Sequence, residues 1–275
     1  MSEQVGENID FVKLEGIARE IRRHVIRMTA AAGSGHPGGS LSVVELLVAF
    51  YFSVLRHNPS DPLWPDRDRL ILSKGHGCPA LYAALAEAGY LDREILTTLR
   101  KLGSPLQGHP DKRFLPVLEA STGSLGQGLS IGIGMALAAR LDRLAYRTYV
   151  ILGDGEIDEG QVWEAAAYAS FHKLQNLVAV VDYNKYQLDG PVKQILDMEP
   201  ILDKWRAFGW DAIEIDGHDL RQIVPALRRE PEGRPRAIVA HTIKGKGVSF
   251  MENNNEFHGK APTKDEAERA LRELA

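Results

Sequence analysis

At 275 residues, with 44% hydrophobic and 25% charged positions, the chain has a globular composition that excludes a disordered or fibrous polypeptide. Its length suits one large α/β domain or two small ones. A net charge of −4, from 33 basic and 37 acidic side chains, offers no basic surface for nucleic acid and no basic run for a membrane. The polar N-terminus MSEQVGENID shows no secretory leader pattern, and the longest apolar stretches, Val43–Phe52 and Val178–Val181, are too short to cross a bilayer. Cys78 stands alone, so no intramolecular disulfide is possible. A soluble, cytoplasmic protein is the expectation.

Phe11–Ala32 carries Phe11, Leu14, Ile17, Ile21, Val25 and Met28 at helical spacing, which predicts an amphipathic helix. A glycine-rich turn, Gly33–Gly39, ends it, and a second apolar helix is expected from about Leu41 to Leu55. Three prolines keep Asn58–Asp68 irregular, after which Arg69–Ser73 reads as a short buried strand. Helices are expected near Ala80–Ala88 and Asp92–Leu102, each stopped by a glycine, and over roughly Gly126–Leu144. The pattern then alternates. Strand Thr148–Leu152, helix Glu159–His172 and strand Leu177–Asp182 are followed by helix Ile201–Phe208, strand Ala212–Ile215, helix Leu220–Arg229 and strand Ala237–Thr242. Strands alternating with helices predict a single α/β domain, with a parallel sheet covered by helices on both faces. The tail Thr263–Ala275 reads as an exposed charged helix.

Sheets of this kind bind ligands at the carboxyl ends of their strands. The loop after Thr148–Leu152 reads GDGEIDEG (Gly153–Gly160): glycines admit a ligand close to the backbone, and the helix that follows presents a positive dipole end suited to a diphosphate. Asp154 would offer a carboxylate oxygen to a hard cation such as Mg²⁺. The next strand ends DYNKYQLDG (Asp182–Gly190), putting Asn184 thirty residues after Asp154; adjacent parallel strands would set the two side by side, with a backbone carbonyl as third ligand. Turn and capping preferences account for either loop alone, and the spaced pair is what points to a metal–diphosphate site. Five of the nine histidines adjoin a glycine: His36, His76, His109, His218 and His258. Several in separate glycine turns suggest proton transfer or hydrogen bonding near neutral pH. His218 is already accounted for by a capped strand–helix turn at Asp216–Asp219, and His24, His57, His172 and His241 read as structural. Glu156 and Asp158 are acids of the kind a first helical turn favours and need no function. His241–Phe250 (HTIKGKGVSF) sets two lysines among glycines, and reads equally as a phosphate-facing loop or a solvated basic turn.

In order, SGHPGG (Ser34–Gly39), RDRLILSKGHG (Arg67–Gly77), GHP (Gly108–Pro110), STGSLGQG (Ser121–Gly128), GDGEIDEG and DYNKYQLDG resemble the sequence blocks of the transketolase family, from roughly Leu14 to Gly259. The GDG…N pair is shared by thiamine-diphosphate enzymes. It would equally suit the α-subunit of a 2-oxoacid dehydrogenase or decarboxylase, or a non-catalytic thiamine-diphosphate-binding homologue; the GHP and KGHG turns and STGSLGQG favour transketolase.

The resemblance implies a single thiamine-diphosphate-binding module over 1–275, with an N-terminal helical segment at about 10–56 and a tail at about 260–275. It implies thiamine diphosphate with Mg²⁺ (or Ca²⁺ or Mn²⁺), and transfer of a two-carbon ketol unit from a ketose to an aldose. By position, Asp154, Asn184 and the Tyr186 carbonyl would hold the metal, and Gly155, His76 and His258 would meet the diphosphate. Gly123, Ser124 and Leu125 would surround the aminopyrimidine or thiazolium, Leu188 and Ile243 would pack near the rings, and Lys244 and Glu159 would also border the cofactor. His36, His76, His109 and His258 would serve the donor sugar, while Glu159 and Glu164 resemble an acidic pair at the family's dimer interface, near the neighbouring active site. Ser124, where many members carry proline, and the basic turn Lys244–Lys246 resemble split, two-subunit members. The family's cofactor-activating glutamate lies on a following module, beyond Ala275. The implied partner is therefore a separate C-terminal, pyrimidine-binding subunit in a heterotetramer, acting on phosphorylated sugars and inactive without it.

Overall fold

Continuous apolar runs make the centre of the sheet. The strands are β1 (Arg69–Leu72), β2 (Thr148–Gly153), β3 (Leu177–Tyr183), β4 (Asp211–Asp216) and β5 (Arg236–His241). In this computed structural model all are parallel, in the order β1-β2-β3-β5-β4. Every residue of β2 and β3 is buried, as a parallel sheet covered on both faces requires, whereas the edge strand β4 is only partly buried. The structure describes residues 9–230 and 232–275; the stretch Met1–Asn8, most of the segment read as lacking a leader, lies outside them.

The helices are α1 (Phe11–Ala32), α2 (Pro37–Leu41), α3 (Val44–Ala49), α4 (Cys78–Glu87), α5 (Gln127–Asp142), α6 (Gly160–Phe171), α7 (Val192–Ile195), α8 (Ile201–Ala207), α9 (Leu220–Arg228) and α10 (Lys264–Glu273). Side-chain alternation along the strands divides the interior into two apolar layers. Tyr149, Ile151, Val178, Val180 and Ile238 face α1, α3, α4 and α9. Val150, Leu152, Ala179, Val181 and Val239 face α5, α6 and α8. Register pairs Gly153 with Asp182, so the loops holding Asp154 and Asn184 leave adjacent strands, as their spacing predicts.

Four expectations change. The glycines of Gly33–Gly39 do not all break the chain: Gly38 and Gly39 sit inside α2, where a Cβ at Gly38 would lie 2.9 Å from the Phe257 carbonyl oxygen. They serve close packing. The helix expected from Leu41 to Leu55 is interrupted at Ser42, whose hydroxyl donates to Asp182 and to the Gly39 carbonyl, and beyond Ala49 it widens into a π turn over Phe50–Val54. Asp92–Leu102 yields only a 3₁₀ segment, Arg93–Thr98. The Thr97 and Thr98 hydroxyls there donate to carbonyls three residues back, competing with helix bonding. The C-terminal tail is docked rather than free, with Ala267, Ala270 and Leu274 buried beside α1 and a capping box at Thr263 and Glu266.

Gly132 marks where α5 lies closest to β2, since a Cβ there would stand 2.5 Å from Val150 Cγ2. Gly132→Ala gains about 1 kcal/mol of helix propensity but overpacks a buried β-branched side chain, which costs about 1–3 kcal/mol. The expected result is a lower urea midpoint at unchanged slope; an unchanged or higher midpoint would show that α5 can move away from the sheet.

Candidate active site

A buried ion pair organises the carboxyl edge of the sheet. Lys74 follows β1 and points its ammonium across β2, donating to Asp182 Oδ2 at 2.5 Å and to the Gly39 carbonyl at 2.8 Å. Asp182, near the end of β3, has no exposed surface. Its carboxylate also accepts from Ser42 Oγ at 2.7 Å, from Asn184 Nδ2 at 3.1 Å and from the Thr242 hydroxyl. Burial alone would raise the Asp182 carboxyl, but Lys74 and these donors hold it below the usual carboxylate range. Sequence reasoning passed over both residues. The available signal was an aspartate ending an all-apolar strand and a lysine between a strand and a glycine turn.

Asp182 accepts from the Asn184 amide nitrogen, so the amide oxygen is the atom left to face the loop. That oxygen accepts from the Tyr186 N–H at 3.1 Å. Lys185, between them, has a φ of +71°, which turns its own N–H back to Asp154 Oδ2 at 2.5 Å. Asp154 Oδ1 accepts from the Gly155 N–H at 2.8 Å. Burial first, and the Asp182 carboxylate second, push the Asp154 carboxyl up to about 7. A carboxylate, an amide oxygen and the Tyr186 carbonyl are the oxygen donors a hard divalent cation takes, and a cation would relieve the burial of Asp154. These groups, with Lys74, Leu125, Gly155, Gln187 and Leu188, line a cavity of about 170 Å³ that His76 and His258 close.

Of the two readings left open for the 241–250 loop, the inward-facing one applies to Lys244. It is buried, and among the described residues it donates to three neutral acceptors: Gln187 O at 3.2 Å, Asn255 Oδ1 at 2.8 Å and His258 Nδ1 at 2.7 Å. Burial and the nearby Lys74 charge bring its ammonium down to about 8. Lys246 instead lies nearer the surface, 3.6 Å from Glu252.

Four histidines from separate turns converge here. Ring centroids lie 5.4 Å apart for His36–His76, 6.0 Å for His36–His109, 5.7 Å for His36–His258 and 5.2 Å for His76–His258. Burial brings His36 to about 4, helped by Arg100, and His258 to about 3, helped by Lys244. His76 and His109 are lowered too, by burial first. All four rings are therefore neutral near pH 7. An ammonium can only donate, so His258 Nδ1 accepts from Lys244 and its proton sits on Nε2. His36 Nδ1 is buried with no hydrogen-bond partner among the described residues. Among the described residues no three His, Cys, Asp or Glu side chains are arranged to hold a metal.

The other expected residues fall at different distances from the cavity. Gly123 abuts the His109 ring, and Ile243 is half-buried beside Lys244. Ser124 is exposed, and Glu159 and Glu164 are exposed on the α6 side, outside the cavity lining. Glu156, read as a dispensable first-turn acid, is instead buried: it accepts from the Gly126 N–H at 2.8 Å, from the Gly153 N–H at 2.9 Å and from the Ser73 hydroxyl. It thus joins three of the loops around the site. His24 is bonded to Glu87 and His57 to the Tyr90 hydroxyl.

Residues 15–274 match the model of the transketolase thiamine-diphosphate-binding domain. This chain belongs to the transketolase family. It is 47% identical over 265 residues to a 6-deoxy-6-sulfo-D-fructose transketolase subunit of Clostridium sp. (strain MSTE9), covering 96% of each chain. It is 44% identical to an apulose-4-phosphate transketolase subunit of Actinobacillus succinogenes, covering 97% of this chain and 98% of that one. Human transketolase is 42% identical over 95% of this chain, which spans only 42% of its length. A Pichia stipitis transketolase structure superposes with a TM-score of 0.89 at 33% identity, over 96% of this chain and 41% of that one. The chain thus corresponds to the N-terminal, thiamine-diphosphate-binding subunit of a split transketolase, which sets aside the 2-oxoacid dehydrogenase alternative. No helix among the described residues is long and apolar enough to cross a membrane.

Asp182→Asn would leave the buried Lys74 ammonium without its carboxylate. Breaking a buried pair from one side costs about 3–5 kcal/mol, so a large fall in the thermal or urea midpoint is expected. A change under about 1 kcal/mol would mean that Lys74 finds another partner or loses its proton.

Proposed function

We propose that this chain anchors the diphosphate and metal ion of thiamine diphosphate, and that with a separate C-terminal subunit it moves a two-carbon ketol unit from a ketose to an aldose. One observation carries the reading: at one sheet edge, the buried Lys244 ammonium donates to neutral groups of Gln187 and His258, two residues that line the cavity holding Asp154, a buried carboxyl in need of a cation. A diphosphate with a divalent cation satisfies both at once. Asp154, Asn184 Oδ1 and the Tyr186 carbonyl are the proposed ligands of Mg²⁺, or of Ca²⁺ or Mn²⁺ in its place. Lys244, His76, His258 and the Gly155 backbone are placed for the diphosphate, and Leu125, Leu188, Ile243 and the Gly123–Ser124 backbone for the rings.

When bound, thiamine diphosphate supplies the carbon nucleophile of ketol transfer. The chain's own contribution is binding, orientation and proton handling. The neutral rings of His36, His76, His109 and His258 offer uncharged nitrogens to sugar hydroxyls, and His258, whose Nδ1 is taken by Lys244, presents its Nε2–H as a donor. An unprotonated imidazole can take a hydroxyl proton as a carbonyl forms and return it to the product. Two of the relatives are named for a sulfonated and a phosphorylated ketose, which supports a donor with a terminal anionic group; a phosphorylated sugar is the proposed substrate.

The partner surface is proposed on α5 and α6. α5 is apolar nearly all round, yet Leu141 is 83% exposed, and Phe171 at the end of α6 is 81% exposed. Tyr168 and Glu164 extend that face towards Glu159. The proposed assembly is a heterotetramer with two copies of each subunit, acting in the cytoplasm, with Glu159 and Glu164 at its subunit contacts.

With thiamine diphosphate, Mg²⁺, a ketose phosphate and an aldose phosphate, the purified chain is expected to give no ketol transfer until the C-terminal subunit is added. Transfer by the chain alone would refute the split. Asp154→Asn is expected to weaken Mg²⁺-dependent thiamine-diphosphate binding, read by calorimetry on the two-subunit complex, by about 100-fold. Equal binding by that variant would remove Asp154 from the metal site.

A further inference from the structure

The imidazole of His218 does more than the capped turn around it requires. The turn is satisfied by its backbone, since the His218 N–H donates to Asp216 Oδ1 at 2.8 Å and Asp219 caps α9 through the Arg221 N–H at 2.9 Å. The ring points inward, with 12% of the side chain exposed. Its Nε2 accepts from the Ile243 N–H at 2.9 Å, and its Nδ1 lies 2.9 Å from Glu45 Oε2. A backbone N–H can only donate and a carboxylate can only accept, so Nε2 is the acceptor and the ring proton towards Glu45 sits on Nδ1.

Glu45, on α3, continues the chain to Arg22 on α1 through contacts of 2.6 and 2.8 Å. Burial would raise the Glu45 carboxyl, but Arg22 and the hydrogen bond from His218 hold it at about 2, so it is a permanent anion. Arg22 then returns to the same turn, its Nε donating to the Lys246 carbonyl at 3.0 Å. One buried network therefore grips both ends of the segment from Ile243 to Lys246. The segment is closed on itself by Lys246 N–H to Ile243 O at 3.2 Å, and Gly245 N–H donates to Gly38 O at 2.9 Å. Lys244 is the residue it presents. The last ladder bond of β5 is Thr242 N–H to Tyr183 O, so Ile243 is where the sheet stops holding the chain and His218 starts.

We infer that His218 is a positioning residue, holding the Ile243–Lys246 turn through the Arg22–Glu45–His218 network so that Lys244 meets the diphosphate. The inference rests on the proposed function for what the turn is positioned towards. The hold on the turn is read independently of any cofactor.

Two substitutions separate the two ends of the ring. In His218→Asn the amide can replace Nδ1 towards Glu45, but nothing reaches the Ile243 N–H. In His218→Gln the longer amide can replace Nε2 as acceptor. Amide hydrogen exchange on the full chain is the first measurement. The Ile243 amide is expected to be protected in the wild type, about tenfold or more faster in His218→Asn, and within about threefold of wild type in His218→Gln. The Val180 amide in β3 reports in each case that the fold is intact. Calorimetric titration of thiamine diphosphate with Mg²⁺ into the two-subunit complex is the second. His218→Asn should bind about tenfold more weakly, with the sugar KM unchanged, and His218→Gln should restore most of the loss. A fast wild-type Ile243 amide, or equal effects of the two variants in both measurements, overturns the inference. If the wild-type complex binds no thiamine diphosphate, the proposed function fails instead, and the exchange pattern alone decides whether His218 holds the turn.

Discussion

Lys74 and Asp182 form a cation–anion pair with almost no access to water, and the geometry of the whole carboxyl edge follows from satisfying it. Two charges so placed are costly to desolvate unless their remaining hydrogen-bond capacity is filled. The neighbours fill it. Gly39 O takes a second ammonium proton, while Ser42, Thr242 and Asn184 donate to the carboxylate. Gly39 and Ser42 belong to the α2 region, Asn184 follows β3 and Thr242 follows β5, so the pair draws together the ends of β1, β3 and β5 and the α2 region. Interruption of the helix at Ser42 and the orientation of the Asn184 amide are local results of that requirement.

Around this neutralised centre the site is electrostatically incomplete in a specific way. Asp154 is a buried carboxyl near another carboxylate, and Lys244 is a buried ammonium among neutral acceptors. Each is destabilised as a free charge, and the two defects have opposite signs. The four histidines add no charge near pH 7, because burial and the neighbouring cations keep them neutral. The arrangement gathers a buried carboxyl, a buried ammonium and four uncharged imidazoles at one edge of the sheet.

Much of this was legible in one dimension. The Asp154 and Asn184 loops were placed correctly because strand alternation and a thirty-residue interval suffice to predict adjacent parallel strands, and β2 and β3 are indeed neighbours. The histidines at glycine turns were legible because glycine there marks a chain passing close to something. Glu156 was misjudged: an acid in a first helical turn has a ready local explanation, which concealed its bonds to Gly126 and Gly153. His218 was concealed in the same way by a turn that its backbone alone satisfies. The helix expected at Asp92–Leu102 failed where threonine hydroxyls compete with the backbone, a detail that apolar spacing does not carry.

By itself the sequence determined most of the order of elements, the parallel α/β class and the adjacency of the Asp154 and Asn184 loops. Those depend on periodicity and turn chemistry acting over a few residues. Only the tertiary structure decided which charges pair in the interior. Lys74 and Asp182 are 108 positions apart, Ser42 and Asp182 are 140, and His218 and Glu45 are 173. Their partners are selected by the cost of leaving a buried polar group unsatisfied, and that cost exists only once the sheet and its helices have closed around them.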